Sequence, residues 1–155
     1  YVSFVKTESP EPIETIIINE LIADIIKTVE KNNIKIILNE KGKIQTSGRQ
    51  IQLKRAFNNI IDNSQRYAKK IEINLYKNDK DCVIEFNDDG DGIPTNKYED
   101  VFKPFFTLDP SRNKLKGESG LGLTITRDII RSHGGEVKLS VSYLGGLKLK
   151  VLLPL

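Results

Sequence analysis

The 155 residues contain no methionine, no tryptophan, one cysteine and one histidine. A single cysteine, Cys82, excludes an internal disulfide and fits a reducing compartment. Its setting, Cys82-Val83-Ile84-Glu85-Phe86, is that of a packed strand residue rather than a reactive thiol. No apolar run approaches the roughly 18–20 residues of a membrane span, and no signal peptide is visible. Long runs of lysine or arginine are also missing, and a net charge of +3 does not make nucleic acid a default partner. A chain that starts at Tyr1 and has no methionine reads as a piece of a longer protein. What is present is ordinary for one globular domain with a real core: 38% apolar and 29% charged residues.

Residues 1–15, which include Ser9-Pro10-Glu11-Pro12, read as a linker from a preceding segment, and residues 16–155 as one domain. Asn19 is a plausible N-cap for a helix to about residue 31, with Leu21, Ile22, Ile25, Ile26 and Val29 as its apolar stripe. Residues 34–39 and 43–46 suggest a short hairpin around Lys41-Gly42. A second helix, about 50–68, turns Leu53, Phe57, Ile60, Ile61 and Ser64 to the core. Ile71, Ile73 and Leu75 alternate with polar residues, the pattern of a half-buried strand, and a further strand follows at 82–86. Residues 94–119 are irregular and hydrophilic. A third helix, about 120–133, stops at Gly134-Gly135, and two last strands turn at Gly145-Gly146. This order predicts a two-layer α/β sandwich: one mixed, largely antiparallel sheet with helices on one face.

Two glycine-bearing segments carry most of the chemistry. In Asn87-Asp88-Asp89-Gly90-Asp91-Gly92-Ile93 a carboxylate ends an apolar strand and a flexible loop follows. A buried carboxylate there can accept a hydrogen bond from an exocyclic amine. In Gly117-Glu118-Ser119-Gly120-Leu121-Gly122-Leu123 a glycine-rich loop runs into a helix, whose N-terminal N–H groups suit phosphate. Together they read as the adenine end and the phosphate end of one nucleotide site. Helical spacing also puts Asn59, Asn63 and Arg66 on one stripe, with Tyr67 beside it, about 120° round from the apolar face. Amide oxygens can ligate Mg²⁺, Arg66 can face phosphate, and Tyr67 can lie against a base. A merely polar face in an asparagine-rich chain is the alternative on this stripe alone. An EF-hand loop from Asn87 fails, because its twelfth position is Tyr98 instead of a bidentate glutamate. Neither a P-loop nor a dinucleotide fingerprint is present.

Taken in order, Asn59-Ile60-Ile61-Asp62-Asn63-Ser64-Gln65-Arg66-Tyr67, Asp88-Asp89-Gly90-Asp91-Gly92-Ile93, Val101-Phe102-Lys103-Pro104-Phe105 and Ser119-Gly120-Leu121-Gly122-Leu123 resemble the N, G1, F and G2 boxes of sensor histidine kinases. These are the ATP-binding catalytic domains of the Bergerat-fold group, which also holds gyrase, the Hsp90 chaperones and the MutL repair proteins. The resemblance runs from about residue 15 to Leu155, and the N and F boxes look most like osmosensing EnvZ-type kinases. It implies ATP and Mg²⁺ as ligands. Asp88 is then the acceptor for the adenine amine, with Gly90 and Gly92 allowing close approach of the base. Asn63 is the Mg²⁺ ligand, Asn59 its neighbour, Arg66 a phosphate contact and Tyr67 a stacking surface. Gly120 and Gly122 open the phosphate-facing helix, and Ile93, Leu121 and Leu123 complete the expected contacts. Residues about 106–119 become a mobile lid, where Arg112, Lys114 and Lys116 are candidate phosphate contacts beside solvated charges. Phe102 and Phe105 are expected to anchor the lid by packing.

Two departures from the family pattern stand out. Glu118 occupies a G2 position that is usually glycine, which puts lid geometry in question. His133 is the sole histidine and sits at a helix end, a capping or packing position, so no phosphoacceptor is present. The resemblance therefore implies a missing helical dimerisation domain that carries the substrate histidine, a response regulator as onward partner, and a homodimeric full-length protein. That protein would be anchored in the bacterial inner membrane with this domain in the cytoplasm. Two other readings remain at this level: an ATPase clamp of the gyrase or chaperone kind, and a nucleotide-binding module without turnover. Against the clamp, Asn59 stands where those enzymes place a general-base glutamate, and an amide cannot take a proton from water.

Overall fold

The computed structural model describes residues 11–29, 33–106 and 122–155. Its larger sheet has the strand order β2-β4-β5-β7-β6, formed by β2 (Lys35–Glu40), β4 (Lys70–Lys77), β5 (Asp81–Asp88), β6 (Glu136–Val141) and β7 (Leu147–Pro154). Only β2 and β4 run parallel; the other three pairings are antiparallel. The helices α1 (Ile18–Val29), α2 (Gln50–Gln65) and α3 (Gly122–Ser132) supply the second layer. The expected two-layer sandwich is the observed one.

Apolar spacing explains which faces close. On α1 the residues Leu21, Ile22, Ile25, Ile26 and Val29 are buried, and on α2 Leu53, Ala56, Phe57, Ile60 and Ile61. They meet Ile71, Ile73 and Leu75 of β4 and Cys82, Ile84 and Phe86 of the central strand β5. The Phe57 and Phe86 rings lie 6.2 Å apart, tilted by 37°. The other side of β5 carries a polar layer: the Tyr76 hydroxyl donates to the Glu85 carboxylate at 2.7 Å, and Lys148 and Lys150 approach it at 3.9 and 3.6 Å. Burial and the Glu85 contact push the Tyr76 phenol up to about 12. Cys82 is fully buried, and desolvation pushes its thiol up to about 12. Alkylation of Cys82 at pH 8 should therefore be slower in the folded chain than in denaturant by roughly a thousandfold or more, reacting only through unfolding. Labelling at similar rates in both conditions would show that β5 is not the core strand.

Three local expectations need correction. Asn19 is not an N-cap: it lies in the first turn of α1, where its amide oxygen accepts the Ile44 N–H at 2.8 Å. Its Nδ2 donates to the Gly42 carbonyl and to Glu40, so the side chain satisfies the connection that follows β2 instead of the helix end. Residues 34–39 and 43–46 do not form a hairpin. β2 lies beside β4, and the Lys41 N–H continues that pairing onto the Leu75 carbonyl. β3 (Gln45–Gly48) pairs instead with β1 (Glu14–Ile17) in a separate two-stranded ribbon. Strand content is legible in short apolar runs, but the partner of each strand is set by long-range contacts. Finally, β1 begins at Glu14, inside the segment read as a linker.

The start of α2 is held from outside the helix. Its cap residue Arg49 offers no side-chain cap, but the Glu11 carboxylate accepts the Ile51 and Gln52 N–H groups at 2.6 and 3.2 Å. His133 Nε2 accepts the Arg49 N–H at 3.0 Å, while Nδ1 lies 2.8 Å from the Ile129 carbonyl and donates to it. This pattern uses the neutral imidazole with its proton on Nδ1. His133 thus ties the end of α3 to the start of α2, in line with the capping role expected for it. Just beyond, Gly134 adopts φ +79° and the Gly135 N–H returns to the Ile130 carbonyl, a helix stop that glycine permits at no steric cost.

Candidate nucleotide site

Asp88 is the last residue of β5 and only 6% exposed. One of its oxygens, Oδ1, accepts two backbone N–H groups, from Gly90 at 3.0 Å and from Leu147 at 3.0 Å. Among the described residues Oδ2 accepts none, which leaves it for a ligand. The neighbouring carboxylate does a different job. Asp89 Oδ1 accepts the Lys69 and Lys70 N–H groups at 2.9 and 3.0 Å, fastening the loop after α2 to the G1 segment. Burial raises its pKa, but those backbone bonds outweigh that and hold the carboxyl below its usual range. A Cβ on Gly90 would stand 2.8 Å from the Tyr67 carbonyl, so glycine is what lets the G1 loop pack against the end of the N box. Gly92 sits at φ +73°, and Ile93 after it is half-buried.

Two residues of the expected stripe lie on α2 and two just beyond it. Asn59 and Asn63 are half-buried, Arg66 is the C-cap residue, and Tyr67 follows directly. Asn59 Nδ2 reaches the Gly122 carbonyl at 3.5 Å, and the Thr126 hydroxyl donates to the same carbonyl at 2.8 Å. The N box is thereby joined to the first turn of α3, the helix expected to face phosphate. The Asn63 side chain makes no hydrogen bond among the described residues. No group of three or more His, Cys, Asp or Glu side chains suited to a metal ion occurs among the described residues. An amide oxygen completed by water and phosphate oxygens fits a hard cation such as Mg²⁺, and Asn63 supplies such an oxygen. Leu123 is buried in the core, which leaves only its backbone for a ligand. Lys116, Gly120 and Leu121, together with Arg112, Lys114, Glu118 and the rest of the expected lid from residue 107, lie outside the described residues.

The two F-box phenylalanines differ. Phe102 is buried, with the Arg127 guanidinium 4.2 Å from its ring centroid and its carbonyl accepting the Thr124 hydroxyl at 2.6 Å. Arg127 also pairs with Glu99 at 2.8 Å. Phe105, by contrast, is 71% exposed at φ +62°, so the packing role expected of both belongs to Phe102 alone. Sequence reasoning missed Thr124, Arg127 and the contact of the β6–β7 turn with Asp88. Gly145-Gly146 was legible as a turn, but its place against Asp88 follows from β5 and β7 being neighbours, which no local signal states.

Residues 48–155 match the family of histidine kinase-, DNA gyrase B- and HSP90-like ATPases, and the chain belongs to it. Membership implies that the domain binds ATP. Among curated relatives, the sensor histidine kinase GtrS of Pseudomonas aeruginosa is 37% identical over 108 residues, covering 69% of this chain and 22% of GtrS. The Escherichia coli sensor histidine kinase CpxA is 39% identical over 104 residues, covering 66% of this chain and 23% of CpxA. A solved mycobacterial sensor histidine kinase, MprB, superposes with a TM-score of 0.81 at 25% identity, covering 92% of this chain and 97% of that one. The chain is an ATP-binding domain of the histidine-kinase type, and it spans about a quarter or less of the length of these curated relatives. No helix among the described residues is long and apolar enough to cross a membrane.

Proposed function

We propose that this chain is the catalytic part of a two-component sensor kinase, delivering the γ-phosphoryl group of ATP to a histidine on a separate helical domain. The observation that carries the reading is the joined geometry of the site. Asp88 has one oxygen pinned by two backbone N–H groups and the other without a donor among the described residues, while Asn59 links α2 to the first residue of α3. In the transfer, the bond from the γ-phosphorus to its bridging oxygen breaks and a bond to imidazole nitrogen forms. The imidazole passes its N–H proton to solvent, and ADP leaves with the electron pair of the broken bond on its terminal oxygen. Bound Mg²⁺ would offset charge on the phosphate oxygens, with Asn63 among its ligands. Arg66 and the α3 N-terminus orient the phosphates, and Tyr67 faces the base. Asn59 supports transfer over hydrolysis: its amide is turned to the Gly122 carbonyl, and it cannot act as a base toward water.

In the full-length protein the partners are its own dimerisation and phosphoacceptor helices and a response regulator. The whole is a homodimer anchored in the bacterial inner membrane with this domain in the cytoplasm. The relatives' names, sensor histidine kinases, support the kinase part of this assignment. Asn63→Ala should weaken Mg·ATP binding more than it weakens binding of metal-free nucleotide, because it deletes a ligand oxygen. Titration of wild type and variant with Mg²⁺ and with chelator checks this. An equal loss in both conditions would make Asn63 a structural residue only.

A further inference from the structure

We infer that the β6–β7 turn fixes the hydrogen-bond polarity of the base pocket, and so decides which purine edge position 88 accepts. The inference rests on reading Asp88 as the adenine acceptor. Its observation is the pair of N–H groups converging on Asp88 Oδ1, one from Gly90 in the following loop and one from Leu147 at the start of β7. The Gly146 N–H adds a third tie, to the Asp88 carbonyl at 3.1 Å. Two donors at one oxygen mean that the atom there must be an acceptor. Only the second atom, at the Oδ2 position, is then offered to the ligand.

Gly146 is what permits this approach. A Cβ on it would stand 2.1 Å from Asp88 Oδ1, 2.6 Å from the Gly90 nitrogen and 2.7 Å from the Asp88 carbonyl oxygen. Any larger residue would force the turn away and withdraw the Leu147 N–H. The turn therefore acts as a positioning element for Asp88, without itself touching the base.

The consequence shows in Asp88→Asn. An amide placed here cannot flip freely, since an NH₂ group at the Oδ1 position would face two N–H donors. Its oxygen takes both backbone bonds, and its NH₂ points to the ligand. A donor now meets the purine 6-position. Adenine presents an amine there and is rejected; hypoxanthine presents a carbonyl and is accepted. Inosine triphosphate is the cleaner probe, because guanine adds a 2-amino group as a second variable.

The test is titration of ATP and ITP, each with Mg²⁺, into the wild-type chain and into Asp88→Asn. Wild type should prefer ATP by about tenfold, and the variant should reverse the order and favour ITP. A variant that still prefers ATP, or that loses both nucleotides equally, overturns the inference while leaving Asp88 as the adenine reader. Absence of any ATP preference in wild type defeats the adenine reading itself. A second measurement needs no substitution. Amide exchange in the wild-type chain should find the Leu147 N–H protected to the level of β7 neighbours, with a scalar coupling to the Asp88 carboxyl carbon. Free exchange at Leu147 and no coupling would also overturn the inference.

Discussion

Asp88→Ala is expected to lower ATP affinity by roughly 1–3 kcal/mol, about five- to 150-fold. The truncation strands the adenine amine on burial and also leaves the Gly90 and Leu147 N–H groups without their acceptor. GTP should bind wild type at least about tenfold more weakly than ATP, because guanine turns a carbonyl toward an acceptor oxygen. Calorimetric titration, paired with thermal unfolding to show that the variant still folds, separates lost recognition from lost structure. Equal affinity of wild type for ATP and GTP would remove Asp88 from the role.

The second large effect is all-or-none: the chain should bind ATP yet fail to phosphorylate itself. Its sole histidine has both ring nitrogens occupied, Nε2 by the Arg49 N–H and Nδ1 by the Ile129 carbonyl. His133 also follows the far end of α3. At 1.5 Å per residue, the 11 residues from Gly122 place it roughly 17 Å from the other end of α3, the end proposed to face phosphate. No rotamer change spans that distance. Incubation with γ-labelled ATP should leave the chain unlabelled, and addition of the helical domain should move label to that domain's histidine. Label on this chain that disappears in His133→Ala would overturn the account. The same substitution should cost about 1 kcal/mol of stability through the lost Arg49 contact, which denaturant unfolding can measure.

Much of the fold was legible because its signals are local. The stripe from Leu21 to Val29, the alternation through Ile71, Ile73 and Leu75, and the stop at Gly134-Gly135 each follow from spacing or from one residue's backbone freedom. The candidate site residues fall together for a related reason. Asn59, Asn63, Arg66 and Tyr67 share one helix end, and Asp88, Gly90 and Gly92 share one loop, so sequence order already groups them. What escaped was long-range. Glu11 capping α2 from 40 residues away, β3 choosing β1 over β2, and Leu147 reaching Asp88 across 59 positions depend on how the strands neighbour one another. Asn19 misled for a subtler reason: its type suits a cap, but the β2–β3 connection competes for the same amide and wins.

A crystal structure of the chain with Mg²⁺ and a non-hydrolysable ATP analogue tests the central claim most directly. The account predicts the adenine amine within hydrogen-bond distance of Asp88 Oδ2, with Oδ1 still held by Gly90 and Leu147. It places the metal on the Asn63 amide oxygen and the phosphates at the N-terminus of α3. A base bound away from Asp88, or a metal held without Asn63, would contradict it.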